Sequence, residues 1–355
     1  MPAEMLPADT LATLSAHAAE ADSDPAWPEV SWAALRAGGV LGWAVPRAHG
    51  GQESPYPDLL AGYERLAGAC LTTCFILSQR DAACRRLRDG ENAALREQLL
   101  PPLANGDTFA TVGLSQLTTS RQHLGPALTA RLADDAVLLD GTIPWVTGAD
   151  RADHIIVGAV LHDGRQVLLV LPRGLAGLSV GPPLQLAALV GSLTAEVRCA
   201  QVRVDRRWLL AGPAVNVMTL GGRASTGGLE TSCLALGLTG AAVGYLDDEA
   251  SRRPELQPRA ARLGEERQQL REQMYALALS GVTAAAAAAN LRAGANGLVL
   301  RATQAALTAA KGAGFLRSHP AQRWARQALF FLVWSCPRPA AEATLALLAP
   351  DVCSL

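Results

Sequence analysis

The feature that most constrains this chain is a double change in its hydrophobic rhythm. Up to about Leu103 apolar residues recur at helical spacing. From Thr108 to about Pro213 they alternate or run continuously in short stretches, and from about Val215 onward the helical spacing returns. A chain written this way predicts three blocks: an N-terminal α-helical domain over residues 1–106, a β-domain over 107–214 and a C-terminal helical bundle over 215–355. Candidate strands are Phe109–Leu114, Ala127–Ala133, Ala136–Leu139, His154–Val160, Gln166–Val170, Leu178–Val180 and Thr194–Val204. Turn signals at Asp134 and Asp135, at His162 to Gly164 and from Pro172 to Gly177 separate them. The fold class is α+β, with an antiparallel barrel or sandwich in the middle.

The helical blocks resolve further. Leu11–Ala19, Val30–Ala37 and Leu59–Leu77 read as helices, and Glu91–Leu100 reads as a fourth that stops at Pro101 and Pro102. After the strands come Leu229–Ser251, a long helix over Arg259–Arg292 with Glu265, Glu266, Arg267 and Arg271 on its solvated side, then Leu298–Ala310 and Gln322–Trp334. A net charge of −1 and a half-hydrophobic composition exclude a disordered chain and give no sign of nucleic-acid binding. All the basic residues except Lys311 are arginine, which reads as a biased genome rather than a site. No membrane span or signal peptide is expected, so the expected location is cytoplasmic. Seven scattered cysteines suit reduced thiols. Cys70 and Cys74 would share a helix face, and with no histidine near them at ligand spacing no metal site is expected.

Three stretches carry chemistry. In Gly141 to Asp150, Trp145 offers a broad apolar face and Thr147 a hydroxyl, so together they could hold a flat ring with a polar edge; a buried tryptophan in an ordinary hairpin is the plain alternative. Gly113 to Leu117 half-matches a nucleophile elbow, but the second glycine is missing, so a hydrolase is set aside. Lys311 to Phe315 is a glycine-rich turn after a helix, and no G-x-G-x-x-G follows a strand, so a Rossmann site is unsupported.

These stretches, in this order of blocks, resemble the acyl-CoA dehydrogenase family over nearly the whole chain. Leu41 to Pro46 with His49 to Gly51 is similar to the family's "G…VP…GG" loop, and Leu99 to Gly106 to its "L…L..G" stretch. Leu114, Ser115 and Gln116 stand at its "T-E-P", Trp145 to Thr147 at its Trp-Ile-Thr-like tripeptide, and Lys311 to Phe315 at its "GGxGF" turn. The resemblance implies FAD as cofactor, with Ser115 and Thr147 offering hydroxyls to the ring and Trp145 covering one face. It implies that Gly312 and Gly314 help to hold the adenylate half across a subunit contact, and that Arg253, or Arg252, reaches a neighbour's pyrophosphate. An acyl-CoA or related thioester as substrate, an electron-transfer flavoprotein or flavin reductase as electron partner, and a homodimer or homotetramer follow in the same way.

The family's reaction needs a carboxylate base in a dry pocket for the α-proton of the thioester. The family's common position for it falls on Ser335, and Pro337 removes the threonine that would follow. The isovaleryl- and long-chain-type members carry the base on the first helix after the β-domain, ten residues before a glycine. Glu230 stands ten before Gly240, the one acid between Ala224 and Leu246, and is the candidate catalytic base. Other departures are Thr231 in place of an arginine, Gln116 and Leu117 in place of Glu-Pro, and no Phe-Gly between Ser251 and Pro258. His319 precedes Pro320 and reads as a helix cap, while His123 is a further histidine of interest. Two alternatives stand beside the dehydrogenase: a flavin-dependent monooxygenase on the same fold, and a non-catalytic family member that binds a ligand.

Overall fold

A computed structural model describes residues 6–118, 125–219, 228–280, 285–336 and 338–349; His123 and Pro337 lie outside them. The first block holds α1 (Ala8–Ala16), α2 (Ala18–Ser23), α3 (Glu29–Ala37), α4 (Tyr56–Ala69), α5 (Leu71–Asp89) and α6 (Ala93–Ala104). The single helix expected over Leu59–Leu77 is two, α4 and α5. Cys70 between them is extended, at φ −150° and ψ 101°, and its Sγ lies 3.2 Å from the Thr73 hydroxyl. Cys70 and Cys74 therefore do not share a helix, although both are buried. Helix α6 continues through Pro101 and Pro102 to Ala104. Prolines cost the helix hydrogen bonds, but Leu99, Leu100 and Leu103 are all buried on this segment, and that burial offsets the loss.

The middle block contains β1 (Ala110–Gly113), a single helical turn α7 (Ser115–Thr118), β2 (Leu128–Leu132), β3 (Ala136–Val146), β4 (His154–Leu161), β5 (Gln166–Pro172), β6 (Leu178–Pro183), β7 (Ala195–Asp205) and β8 (Leu209–Ala214). The sheet order is β6-β7-β3-β2-β4-β5-β8, with β1 added parallel along β4. The β2–β4 pair is also parallel, so the sheet is mostly rather than wholly antiparallel. Strand β3 is longer than its expected Ala136–Leu139 because the chain passes straight through Gly141. That residue sits at φ 124°, where a Cβ would run into the Ala127 carbonyl. Strand β8, which completes the edge beside β5, was not anticipated from the sequence.

The last block holds α8 (Leu229–Ala250), α9 (Gln257–Ser280), α10 (Ala285–Ala310), α11 (Pro320–Phe330) and α12 (Arg338–Leu348). Where one helix was expected over Arg259–Arg292, the described residues fall into two helices that pack against each other, α9 over Gln257–Ser280 and α10 over Ala285–Ala310. Arg267 and Arg271 do not face solvent as expected. Both turn inward to the buried carboxylate of Glu64 on α4. By length and composition α8 could cross a membrane, but 72% of its most apolar window is buried inside the protein, which marks it as a core helix.

Three hydrophobic clusters result, and α5 contributes to each. Leu71, Cys74, Phe75 and Leu77 join the core shared with the bundle. Ile76 enters the core of the β-block. Ala83, Cys84 and Leu87 pack with α6 and the outer sheet face. The helix that joins the three blocks also forms one wall of the cavity between them.

Candidate active site

A cavity of ≈ 1450 Å³ opens where the three blocks meet. It exceeds the volume of a pocket for one drug-sized molecule, which is of the order of 300–1,000 Å³. Its wall is assembled from the start of α4, the inner face of α5, the β1–α7 turn, the end of β3, the first turn of α8 and the segment after α11.

The β-block supplies a polar-edged half. Between Ile143 and Val146 the register of β3 against β7 slips, with two strand residues opposing one. Such a bulge re-aims side chains. Here Val146 stays in the core while Trp145 turns out onto the cavity wall, 48% exposed. Thr147, next along, is buried with its hydroxyl 3.3 Å from that of Thr194, which is in turn 2.9 Å from the Ser192 hydroxyl. Opposite, Ser115 begins α7 at the end of β1. Its Oγ is buried and has no hydrogen-bond partner among the described residues. A buried hydroxyl left so costs about 1–3 kcal/mol unless a ligand or water completes it. Gln116 fixes this turn in place, donating to the carbonyls of Gly113 and Gly158 at 2.9 Å each. An orphan hydroxyl, a threonine pair and an outward-turned indole fit a flat ring with a hydrogen-bonding edge.

The helices supply an acidic half. Glu230 lies in the first turn of α8 and lines the same cavity. Its Oε1 is 3.4 Å from Arg85 Nη2 on α5, and the Tyr56 hydroxyl on α4 hydrogen-bonds to its carboxylate. The carboxylate folds back over Gly228, where a Cβ would collide with Oε2. Burial, and then the charge of Glu230, holds the Tyr56 phenol well above its usual range, so Tyr56 stays a donor. Burial works against the charge of Arg85, but Glu230, Tyr63 and Asp81 outweigh it and hold the guanidinium in its charged form. Behind it Tyr63 donates to Asp81 at 2.6 Å, and Asp81 is also paired with Arg80 at 2.6 Å.

Ser335 reaches the cavity too, from the far side, in a positive-φ conformation at 44°. The turn before it is held by the buried Arg292, which donates to the carbonyls of Phe331 at 3.1 Å and Trp334 at 2.8 Å. Thus Ser115, Trp145, Thr147, Glu230 and Ser335 come together around one cavity. Arg253, Gly312 and Gly314 do not line it. Arg253 sits at the other end of the bundle, donating to Glu249 and to the Ala309 carbonyl at the end of α10. The Lys311–Phe315 turn follows there; Gly314 is buried, where a Cβ would press on Ala310 and Leu307, while Gly312 has open space around it. His319 caps α11 as expected, accepting from the Ala321 N–H at 3.2 Å. Sequence reasoning missed Tyr56, Arg85 and Thr194. The signal for Arg85 was its place one helical turn after Asp81, but only the fold shows that Asp81 faces inward.

A family model, "Acyl-CoA dehydrogenase, N-terminal domain", matches residues 9–107. The chain is 26% identical over 238 residues to the probable acyl-CoA dehydrogenase YngJ of Bacillus subtilis, covering 65% of this chain and 62% of that protein. The match therefore spans just under two thirds of that relative. Its fold is that of the butyryl-CoA dehydrogenase from Megasphaera elsdenii, with a TM-score of 0.84 at 20% identity over 96% of this chain and 95% of that one. An acyl-CoA dehydrogenase from Bacillus anthracis, solved in complex with FAD, aligns with a TM-score of 0.77 at 17% identity over 96% of this chain and 64% of its own. The helical N-terminal block, the shared architecture and the cavity at the junction of the blocks lead to one conclusion: residues 9–107 match the acyl-CoA dehydrogenase N-terminal domain, and the whole chain has the fold seen in acyl-CoA dehydrogenases.

Proposed function

We propose that this chain is an FAD-dependent dehydrogenase that oxidises an acyl thioester across Cα–Cβ, with Glu230 as the base. The observation that carries this reading is that the Glu230 carboxylate faces the same cavity as the unpartnered Ser115 hydroxyl and the outward-turned Trp145. FAD in the polar-edged half supplies the acceptor for the hydrogen and electron pair that leave Cβ. Ser115 and Thr147 would hold its ring edge by hydrogen bonds, and Trp145 would cover one face. The thioester carbonyl acidifies its α-carbon, and Glu230 takes that proton. Arg85, 3.4 Å from its Oε1, pairs with the Glu230 carboxylate and holds it at the cavity wall. Tyr56 holds the carboxylate in orientation. Ser335 cannot share the proton transfer, because an alcohol is far too weak a base.

Arg253, Gly312 and Gly314 belong in this proposal to the cavity of a second copy. Phe315 and Leu316 beside them are 83% and 60% exposed, which suits a surface covered in a homo-oligomer. The test of the base is Glu230→Gln in protein loaded with FAD. Turnover of an acyl-CoA should fall by about 10²–10⁴-fold, the usual contribution of a general base, with flavin still bound. Wild-type turnover in that variant would remove Glu230 from its role.

A further inference from the structure

We propose that Thr194 is a positioning residue for the flavin: through a chain of three hydroxyls it fixes the Thr147 proton toward the ring edge, so that Thr147 meets FAD as a donor. The inference rests on the FAD reading above and adds the direction of that hydrogen bond and the residue that sets it. The Ser192 Oγ lies 2.9 Å from the Thr194 Oγ1, which lies 3.3 Å from the Thr147 Oγ1. All three residues are buried, Ser192 completely. Thr147 and Thr194 border the cavity and Ser192 does not. The chain of hydroxyls therefore runs from a sealed interior to open space, and its longer, looser bond is the one at the cavity end.

Each hydroxyl has a single proton to give, so the chain can point in one of two ways. Pointed inward, Thr147 donates to Thr194 and Thr194 to Ser192. The Ser192 proton is then left without an acceptor among the described residues, and a buried donor left unmade is the costly case. Pointed outward, Ser192 donates to Thr194 and Thr194 to Thr147. Every interior proton is then used, and the Thr147 proton remains at the cavity, where a ligand can accept it. The edge of a flavin ring carries carbonyl oxygens and ring nitrogens that accept hydrogen bonds. The segment that carries Thr194 is also built to hold its shape. Leu189 and Leu193 both adopt left-handed backbone, at φ 60° and 46°, a conformation that persists in such residues where the surroundings over-determine it. The buried Asp22 of α2 accepts from the Leu189 N–H at 2.9 Å, and the Ser192 carbonyl accepts from the Gly148 N–H at 2.9 Å. The second of these bonds ties the segment to the residue that follows Thr147.

The experiment measures FAD affinity by fluorescence quenching and the reduction potential of the bound flavin against a reference dye. Thr147→Val should weaken FAD binding about 2–10-fold, the scale of one net hydrogen bond. Thr194→Val should weaken it about threefold, the factor for a Thr147 hydroxyl released among its staggered positions, and Thr194→Ser should restore wild-type binding. Both valine variants should move the potential negative, because a donor at the ring favours its electron-rich form. In the Thr147→Val background Thr194→Val should add nothing, whereas a merely structural threonine would add its own loss. Wild-type affinity and potential in Thr194→Val beside a weakened Thr147→Val, or a full further loss in the double variant, overturns the role of Thr194 and leaves the FAD reading standing. Wild-type values in both single variants, or no FAD bound by the wild type, overturn both. Thr194→Ala removes the same hydroxyl should valine not be accommodated.

Discussion

Two glutamates in this molecule have the same kinds of neighbour and different prospects. Glu64 on α4 is 4% exposed; it accepts from Arg267, from Arg271 Nε at 2.8 Å and from the Tyr275 hydroxyl at 3.4 Å. Glu230 on α8 meets one arginine at 3.4 Å and one tyrosine, and its side chain is 19% exposed toward the cavity. Both are acids held by arginine and tyrosine. Glu64 accepts from three side chains and ties α4 to α9, outside the lining of the cavity. Glu230 has capacity left and borders open space. What separates a structural carboxylate from an available one here is how completely it is coordinated and what it faces, not the sign of its neighbours.

The sharpest way to break that comparison is to remove each charge in turn. Glu230→Gln should cost about 10²–10⁴-fold in turnover and change the denaturation midpoint little. Glu64→Gln should do the reverse: it should lower stability by about 2 kcal/mol, between the figures for exposed and fully buried pairs, since Arg267 and Arg271 are themselves partly exposed. Urea denaturation of both variants, beside their steady-state rates, reads the contrast directly. Loss of turnover in Glu64→Gln at unchanged stability would collapse it.

The paired tyrosines sharpen it. Burial, then Glu64, pushes the Tyr275 phenol up to about 12, and Tyr56 beside Glu230 is raised further. A phenol whose folded pKa is raised contributes stability that is fully present below its unfolded value of 10.0 and lost as pH rises toward the folded value. Each should therefore cost at most about 1.4 kcal/mol per pH unit above pH 10, Tyr275 less because it is only half-buried. In denaturation series at rising pH, Tyr275→Phe should flatten the slope only up to about pH 12, whereas Tyr56→Phe should flatten it throughout. Unchanged slopes in both would contradict the hydrogen-bonded pairs.

The smallest expected effect is on the cofactor side. Ser115→Ala removes a hydroxyl with no hydrogen-bond partner among the described residues, so stability should hold or rise slightly, while FAD affinity measured by fluorescence quenching should weaken by about 1 kcal/mol. Undiminished affinity would place the ring elsewhere.

Much of this was legible in the sequence, for stated reasons. The block order follows from periodicity and the pairing of Trp145 with Thr147 from their residue types, whereas the roles of Ser115 and Glu230 follow from the resemblance of their stretches to the family. What escaped was tertiary. Nothing local marks the break at Cys70, whose extended backbone is fixed by packing between α4 and α5. Pro101 and Pro102 are helix stoppers in isolation and were overruled by the burial of Leu103. Arg267 and Arg271 look like a solvated face until Glu64, some 200 residues earlier in the chain (203 and 207 positions), is folded against them. Arg85 was hidden among arginines for the same reason.

The most direct measurement is an anaerobic spectral titration of FAD-loaded protein with an acyl-CoA, run on wild type and Glu230→Gln. The account predicts that the wild-type flavin band bleaches on adding the thioester, and that the variant keeps its flavin yet does not bleach on the same timescale. Bleaching of equal rate and extent in the variant, or wild-type flavin that no acyl-CoA bleaches, would contradict it.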